Sequence, residues 1–529
     1  MQFSRLTAPR ADSAGGGRYR ASSVALAALC TILFLTFLDN TIVSVGLGKL
    51  QTDLHASVPD LQWVVGAYAL TFASIMLACG MIGDELGRKK VMLTGAGVFC
   101  AGSVVCALAP NAQTLIAGRA IMGLGAAASE PGTLSVLRHI FDDGRARARA
   151  VGVWAAVSGL ALAAGPVIGG FLIGVWSWRG IFWFNLAFGL SALLVAAIVV
   201  PESSDPRTGR VDTSGALLGA GALATLIFGI IDAETSGFAS TVPVTLFCAA
   251  AVLAVTFVWR ERRAANPLID LRFFRLARFT VPNVVGLCTY FSTFAIFFFT
   301  ALYFVEVFSD SGYKIAAIFA PMTVLMIVAS VFTGYWTGRA GPRWPITIGC
   351  LLFAAGLLLT DPLINEHPDY PLLALTLAVA GIGIGITVVP VTATVLDAVP
   401  PERSGMAASA ANTSREIGAV TGVAVLGALV FSQVNANITS HLEALHVSAS
   451  AKAQILGYKA IIIQFIETGQ ATGITASNYN THSGVVGEVV GAAYGAFSDG
   501  VHAALYVSGG LMIFAGLLAA IALRAHARS

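Results

Sequence analysis

Apolar residues run through this chain in long stretches, separated by short polar breaks that hold most of its charges. A helix needs about 20 mostly apolar residues to cross the hydrocarbon core of a bilayer, and a backbone in lipid must satisfy its own hydrogen bonds. Fourteen stretches meet that length, near 23–47, 61–82, 91–109, 113–137, 150–174, 180–200, 214–231, 242–259, 279–303, 314–337, 344–360, 370–397, 405–432 and 500–523. The pattern predicts an all-α polytopic membrane protein with fourteen transmembrane helices. Residues 433–499 interrupt it, because their apolar runs, such as Ala460 to Ile463, are too short to cross. They are expected to form a long extracytoplasmic loop, either partly helical and packed over the outer mouth or without fixed structure.

Composition agrees: 56% of the 529 residues are hydrophobic and 11% charged, against roughly 25% charged in soluble proteins. A net charge of +3 is too small to suggest a nucleic-acid partner. An even number of spans puts both termini on one side, and Lys and Arg in short loops mark the cytoplasmic side. With the termini inside, inner segments carry 24 of the 31 basic residues and outer segments carry five. Arg119 and Arg415 remain within spans. A secretory signal at the N-terminus is disfavoured, since the apolar stretch continues past Asp39 to Val45. The seven cysteines lie in apolar runs without a CxxC pair, so neither disulfides nor a zinc site are expected. The chain has no HExxH, GxSxG, histidine cluster or GxxxxGK[ST] loop, so no catalytic residue, no metal, no cofactor and no ATP hydrolysis is expected.

One loop recurs. Gly80 to Lys89 joins the second and third spans, and at an offset of 254 Gly80 falls on Gly334, Gly87 on Gly341 and Lys89 on Arg343. The repeat divides the chain into a cytoplasmic tail (1–22), a six-helix bundle (23–200), an inserted helix pair with its linker (201–278), a second six-helix bundle with the 433–499 loop (279–523) and a tail (524–529).

The sequence resembles the major facilitator superfamily, and within it the fourteen-span drug:proton antiporters. The loop containing Gly80, Asp84, Gly87, Arg88 and Lys89 looks like the superfamily's signature loop, departing at Glu85, where Arg is usual. Leu38 to Val45 is similar to the group's first-span motif, departing at Ser44, and Gly48 follows where Pro is usual. Gly118 to Gly125 resembles the fourth-span motif, whose arginine, here Arg119, is implicated in proton coupling. Gly159 to Gly170, with Gly165, Pro166, Gly169 and Gly170, looks like the fifth-span antiporter motif. The resemblance implies proton-driven export of a small molecule.

The residues carry their own physical reading. A carboxylate at Asp39, inside a span, must face a cavity or be paired, and the bland alternative is a hydrogen bond to a neighbouring helix. Glu130 precedes Pro131 within the fourth span and lies 11 residues from Arg119. That is close to three turns, so both project from one face, roughly 16 Å apart, with Arg119 the outer of the two. Glu130 is either a proton and substrate site or the partner of an inner-rim arginine such as Arg138. Asp84 with Arg88 is expected to form an inner latch by capping a helix N-terminus, unless the turn only sets topology. Gly165, Gly169, Gly170 and Gly174 offer close-packing faces. Arg415 and Glu416 are assigned to structure, paired locally or at the inner interface. Trp63, Tyr68, Trp154, Asn185, Tyr290 and Phe294 are candidate cavity-lining residues. The expected function is proton-coupled export of amphipathic or cationic compounds, such as drugs, by a monomer in a bacterial plasma membrane. Export of a specific lipid or metabolite, and proton-coupled transport other than efflux, are the alternatives.

Overall fold

In the computed structural model, residues 13–443 and 485–523 are described, apart from 44–45, 57, 142, 204–212, 265–266, 268, 301–302, 305–311, 366–367 and 401–402. The described residues are almost wholly helical and contain no strand. The helices are α1 (Ser13–Ile42), α2 (Leu47–Leu54), α3 (Val58–Leu86), α4 (Arg88–Ala107), α5 (Ala112–Ile140), α6 (Gly144–Val175), α7 (Arg179–Val199), α8 (Thr213–Ser236), α9 (Thr241–Glu261) and α10 (Ala277–Ala295). A π turn over Ile296–Thr300 follows, then α11 (Gly312–Ala340), α12 (Arg343–Thr360), α13 (Tyr370–Asp397), α14 (Ser404–Glu443) and α15 (Val485–Ala522). Side-chain caps fix several starts: Asn111 accepts from the Thr114 amide at 2.9 Å, Asp143 from Ala146 at 2.8 Å and Asp369 from Leu372 at 3.1 Å.

A long helix lies over each stretch expected to span. Among the described residues, ten are long and apolar enough to cross a membrane, or eleven when the bent α3 counts as one span. The long helices outside that set are α5, α6 and α10. In α5 the reason is plain, since Arg119, Ser129 and Glu130 are buried along its length.

Several boundaries move. The first span ends at Ile42, not residue 47, and Leu47–Leu54 is a separate short helix after Gly46. The thirteenth and fourteenth spans reach into the expected outer loop, α14 continuing to Glu443 and α15 starting at Val485. Residues 444–484 lie outside the described residues. At 1.5 Å per residue, the 40 residues of α14 extend about 60 Å, roughly twice the hydrocarbon thickness. Polar contacts join the two extensions: Asp499 accepts from Asn437 at 3.0 Å and lies 2.9 Å from His441 Nε2.

Packing falls into two groups. In the first, α5 packs on α3 and α4, α1 on α6 and α7, and α4 on α7. In the second, α13 packs on α11 and α12, α14 on α10 and α15, and α12 on α15. Between the groups, α6 meets α11 and α3 meets α14, while α8 and α9 pair with each other and α8 lies on α3.

The offset of 254 extends into this packing. Gly87 and Gly341 turn the chain between successive helices with φ of 114° and 74°, a region open to glycine and strained for other residues. The same offset aligns Gly95 with Gly349 and Phe99 with Phe353. Each pair meets a glycine of the next helix, where a methyl at Gly125 would lie 2.6 Å from the Gly95 carbonyl oxygen and one at Gly383 would lie 2.7 Å from that of Gly349.

These crossings predict a contrast among glycine substitutions. Gly125→Ala and Gly383→Ala press a methyl on facing backbone and should each lower stability by about 1–3 kcal/mol. Gly170→Ala has nothing within 4 Å and should be neutral or slightly stabilising through helix propensity. Thermal unfolding midpoints of the purified variants check this, and equal midpoints for all three would refute it.

Candidate functional site

Four helices converge on Asp39, which is fully buried near the end of α1. Its Oδ2 pairs with Nη1 of Arg119 from α5, also fully buried. Its Oδ1 accepts from Nδ2 of Asn185 on α7 at 2.7 Å. Arg119 also donates from Nε to the Val64 carbonyl at 2.9 Å and lies 4.5 Å from the centroid of the Tyr68 ring. Tyr68 in turn donates to the Thr36 carbonyl of α1 at 3.0 Å. Four residues predicted separately, Asp39, Arg119, Tyr68 and Asn185, thus form one cluster tying α1, α3, α5 and α7.

Glu130 does not share it. It is 2% exposed, and its Oε2 has no hydrogen-bond partner among the described residues. Its carbonyl accepts from Thr133 Oγ1 at 2.7 Å, and that hydroxyl accepts from Trp154 Nε1 at 3.0 Å. The charges its carboxylate senses are those of Glu416 and Arg415. The expected alternative partner, Arg138, is engaged elsewhere: it donates to the carbonyls of Leu396 and Val399, the latter at 2.8 Å, at the end of α13.

Arg415 and Glu416 correct the sequence reading. They are 2% and 4% exposed within α14, not paired at an inner rim. Arg415 donates to Thr392 Oγ1 and to Asn412 Oδ1, the latter at 3.2 Å. Its guanidinium stands 5.6 Å from the Trp154 ring of α6 and 5.5 Å from the Tyr290 ring of α10, so it bridges the two helix groups. Two charged residues in an otherwise small and apolar stretch, ten residues into the span expected from 405, were a signal for this centre. Trp63 faces another way, its ring 5.0 Å from Phe228 of α8. The side chains of Phe294 and Pro166 lie outside the described residues.

The close-packing glycines of α6 divide. Cβ atoms at Gly165 and Gly169 would strike Thr41 and Ile42 of α1, the latter carbonyl at 2.8 Å, whereas Gly170 and Gly174 have nothing within 4 Å. Only the first two let α1 and α6 approach closely; the four do not form one packing face.

At the end of the molecule carrying the α3–α4 turn, Asp84 and Arg88 form a 2.6 Å ion pair. Asp84 also accepts from the amides of Gly405 and Met406, both at 3.1 Å, and so caps the N-terminus of α14 across the group boundary. Gly80 makes room, since a Cβ there would meet the Gly405 carbonyl at 2.7 Å. Glu202 accepts from the amides of Lys89 and Lys90 at 3.1 and 3.2 Å and pins the turn to the segment after α7. Arg147 pairs with Asp397 at 2.9 Å, and the hydroxyls of Ser135 and Ser404 lie 3.1 Å apart. These contacts close this end of the boundary between the groups. Among the described residues no group of three or more His, Cys, Asp or Glu is placed to hold a metal ion, and the seven cysteines are free.

Chemically, the carboxylate of Asp39 and the guanidinium of Arg119 compensate each other's charge out of water and tie α1 to α5. Removing one partner of a buried pair leaves the other uncompensated, at roughly 3–5 kcal/mol. Asp39→Asn should therefore lower the unfolding midpoint markedly, while Asp39→Asn with Arg119→Gln should recover part of the loss. Additive losses in the double variant would show that the two residues do not act as a pair.

Comparison with known proteins bears on what such a site serves. The chain is 33% identical over 412 residues to the multidrug resistance protein Stp of Mycobacterium tuberculosis, covering 78% of this chain and 76% of that protein. It is 33% identical over 444 residues to the methylenomycin A resistance protein of Streptomyces coelicolor, covering 84% and 92%. In fold it is similar to the human organic anion transporter MFSD10, with a TM-score of 0.60 at 15% identity over 95% of this chain and 99% of that one. The family model described as Major Facilitator Superfamily matches residues 29–423, and the chain belongs to that superfamily of membrane transporters.

Proposed function

We propose that the protein is a proton-coupled exporter of amphipathic or cationic small molecules, with fourteen spans in a bacterial plasma membrane. Both termini and the end carrying the Asp84–Arg88 turn face the cytoplasm, where the loops hold most of the Lys and Arg. Residues 23–200 and 279–523 are the two halves that rock about the boundary, 201–278 is an inserted pair, and a monomer suffices. The observation that carries this reading is the pair of buried acidic centres. Asp39 is held by Arg119, and Glu130 keeps an unpartnered oxygen at the boundary beside the Arg415 bridge.

Inward proton flow supplies the energy, about 2.3 kcal/mol per 100 mV for each proton, before any pH gradient. A proton on Asp39 releases Arg119, and one on Glu130 removes the negative charge that would hold a cationic substrate. Loading of a proton and loading of a cation then exclude each other, as exchange requires. The bound partners are protons and the small molecule, within the lipid bilayer, with no cofactor and no nucleic acid. The names of the relatives, a multidrug resistance protein and a methylenomycin A resistance protein, support drug export over a nutrient or a specific lipid.

Inverted membrane vesicles with a respiratory pH gradient test the reading. Lipophilic cations and neutral antibiotics are added, and dissipation of the gradient is followed. Wild type should respond to at least one compound, and Asp39→Asn and Glu130→Gln should reduce the response at least tenfold. Full activity in Glu130→Gln would remove that residue from the mechanism. Silence across the panel with inserted protein would overturn drug export in favour of a lipid or metabolite.

A further inference from the structure

The inner turn contains a contact that constrains a proton. Nη1 of Arg88 lies over the ring of His139, in the last turn of α5, 2.9 Å from Nε2 and 3.5 Å from Nδ1. Nδ1 also lies 3.1 Å from the carbonyl oxygen of Ser135. A carbonyl oxygen only accepts, so Nδ1 donates to it. A neutral ring under the guanidinium meets both contacts, whereas protonation would set the positive charge of an imidazolium directly against that of Arg88.

Position makes this more than a detail. Arg88 is 1% exposed, whereas His139 is exposed, so a proton from solution reaches the ring while the guanidinium stays shielded. Arg88 in turn holds Asp84, the cap of α14 across the boundary. The C-terminus of α5 favours a cation, while the guanidinium of Arg88 in direct contact with the ring opposes one. Among the described residues, the charged groups around the turn include Glu85, Lys89, Lys90 and Glu202 beside α4, Asp143 and Arg147 at the start of α6 and Asp397 of α13.

We infer that His139 is a proton-sensitive positioning residue of the inner latch. Its neutral ring holds Arg88 in the closed arrangement, and its protonation from the cytoplasm loosens the latch and biases the transporter towards opening inward. The inference rests on the alternating-access reading above, but its test needs no substrate, so it can fail or succeed independently of drug export.

Cys79 is a built-in reporter, because it lines a water-sized cavity of about 10 Å³ under the latch with Gly80, Arg88 and Gly405. Full-length protein in inverted vesicles is treated with a membrane-impermeant maleimide at pH 8 and pH 6, and modification of Cys79 is quantified by peptide mass spectrometry. Each rate is divided by that of Asp84→Asn at the same pH, which removes the thiol's own pH dependence. The wild-type ratio should rise at least threefold from pH 8 to pH 6. In His139→Gln, whose amide supplies one acceptor and one donor, the ratio should stay low at both values, and in His139→Lys it should be high at both. A flat wild-type ratio, or a wild-type rise retained in His139→Gln, would overturn the inference even if His139→Lys fails to fold. Should Asp84→Asn label no faster than wild type at pH 8, the latch itself falls, and this inference with it.

Discussion

Everything in the first helix group is arranged around a carboxylate and a guanidinium kept from water. A lone charge at the depth of Asp39 or Arg119 would cost several kcal/mol, so each needs the other, and the remaining hydrogen-bonding capacity has to be supplied by neighbours. Asn185 takes the second carboxylate oxygen, Val64 takes Nε of Arg119, and the Tyr68 face covers the cation. Satisfying one pair therefore fixes the approach of four helices. The same need explains the glycines of α6. For α1 to bring Asp39 inward, its last turn must lie against α6, and Gly165 and Gly169 are where Thr41 and Ile42 press closest.

Much of this was legible in the chain because it is local. Apolar length located the helices, and the glycines at 87 and 341 announced a turn that only their positive φ permits. Asp39, Arg119 and Asn185 each stood out as polar residues in apolar surroundings, but their meeting did not, since 80 residues separate the ion pair and 146 the amide from the acid. Periodicity correctly put Arg119 and Glu130 three turns apart, and no rule of spacing said that they would serve different clusters. The expected start of the thirteenth span, 405, agrees with Ser404, and ten residues are about 15 Å of helix, which already carries Arg415 and Glu416 away from its end; the long-range contacts of Arg415 with Trp154 and Tyr290 were what spacing could not supply. Setting the outer edge at 432 turned the ends of α14 and α15 into loop, because hydropathy measures what lipid tolerates and not where a helix stops.

The two copies of the inner turn show how a repeat can keep its geometry and divide its work. In both, a glycine at positive φ reverses the chain between helices, and a basic residue follows two positions later. In the second copy that residue, Arg343, donates to the Ala520 carbonyl of α15 at 2.8 Å, and Arg339 lies 3.6 Å from the Tyr335 ring. Those contacts stay within the second helix group. In the first copy Asp84 reaches over the boundary to the amides of Gly405 and Met406, and the position it would occupy in the second copy is Gly338, which has no side chain to reach with. One turn thus anchors its own group while the other grips its neighbour. At this end of the boundary the cap stands beside the Arg147–Asp397 pair and the hold of Arg138 on the carbonyls of Leu396 and Val399, all reaching from the first group to the second. The asymmetry gives the surroundings of Arg88, which orients the carboxylate seen to reach across, a part in the boundary that Arg343 does not share.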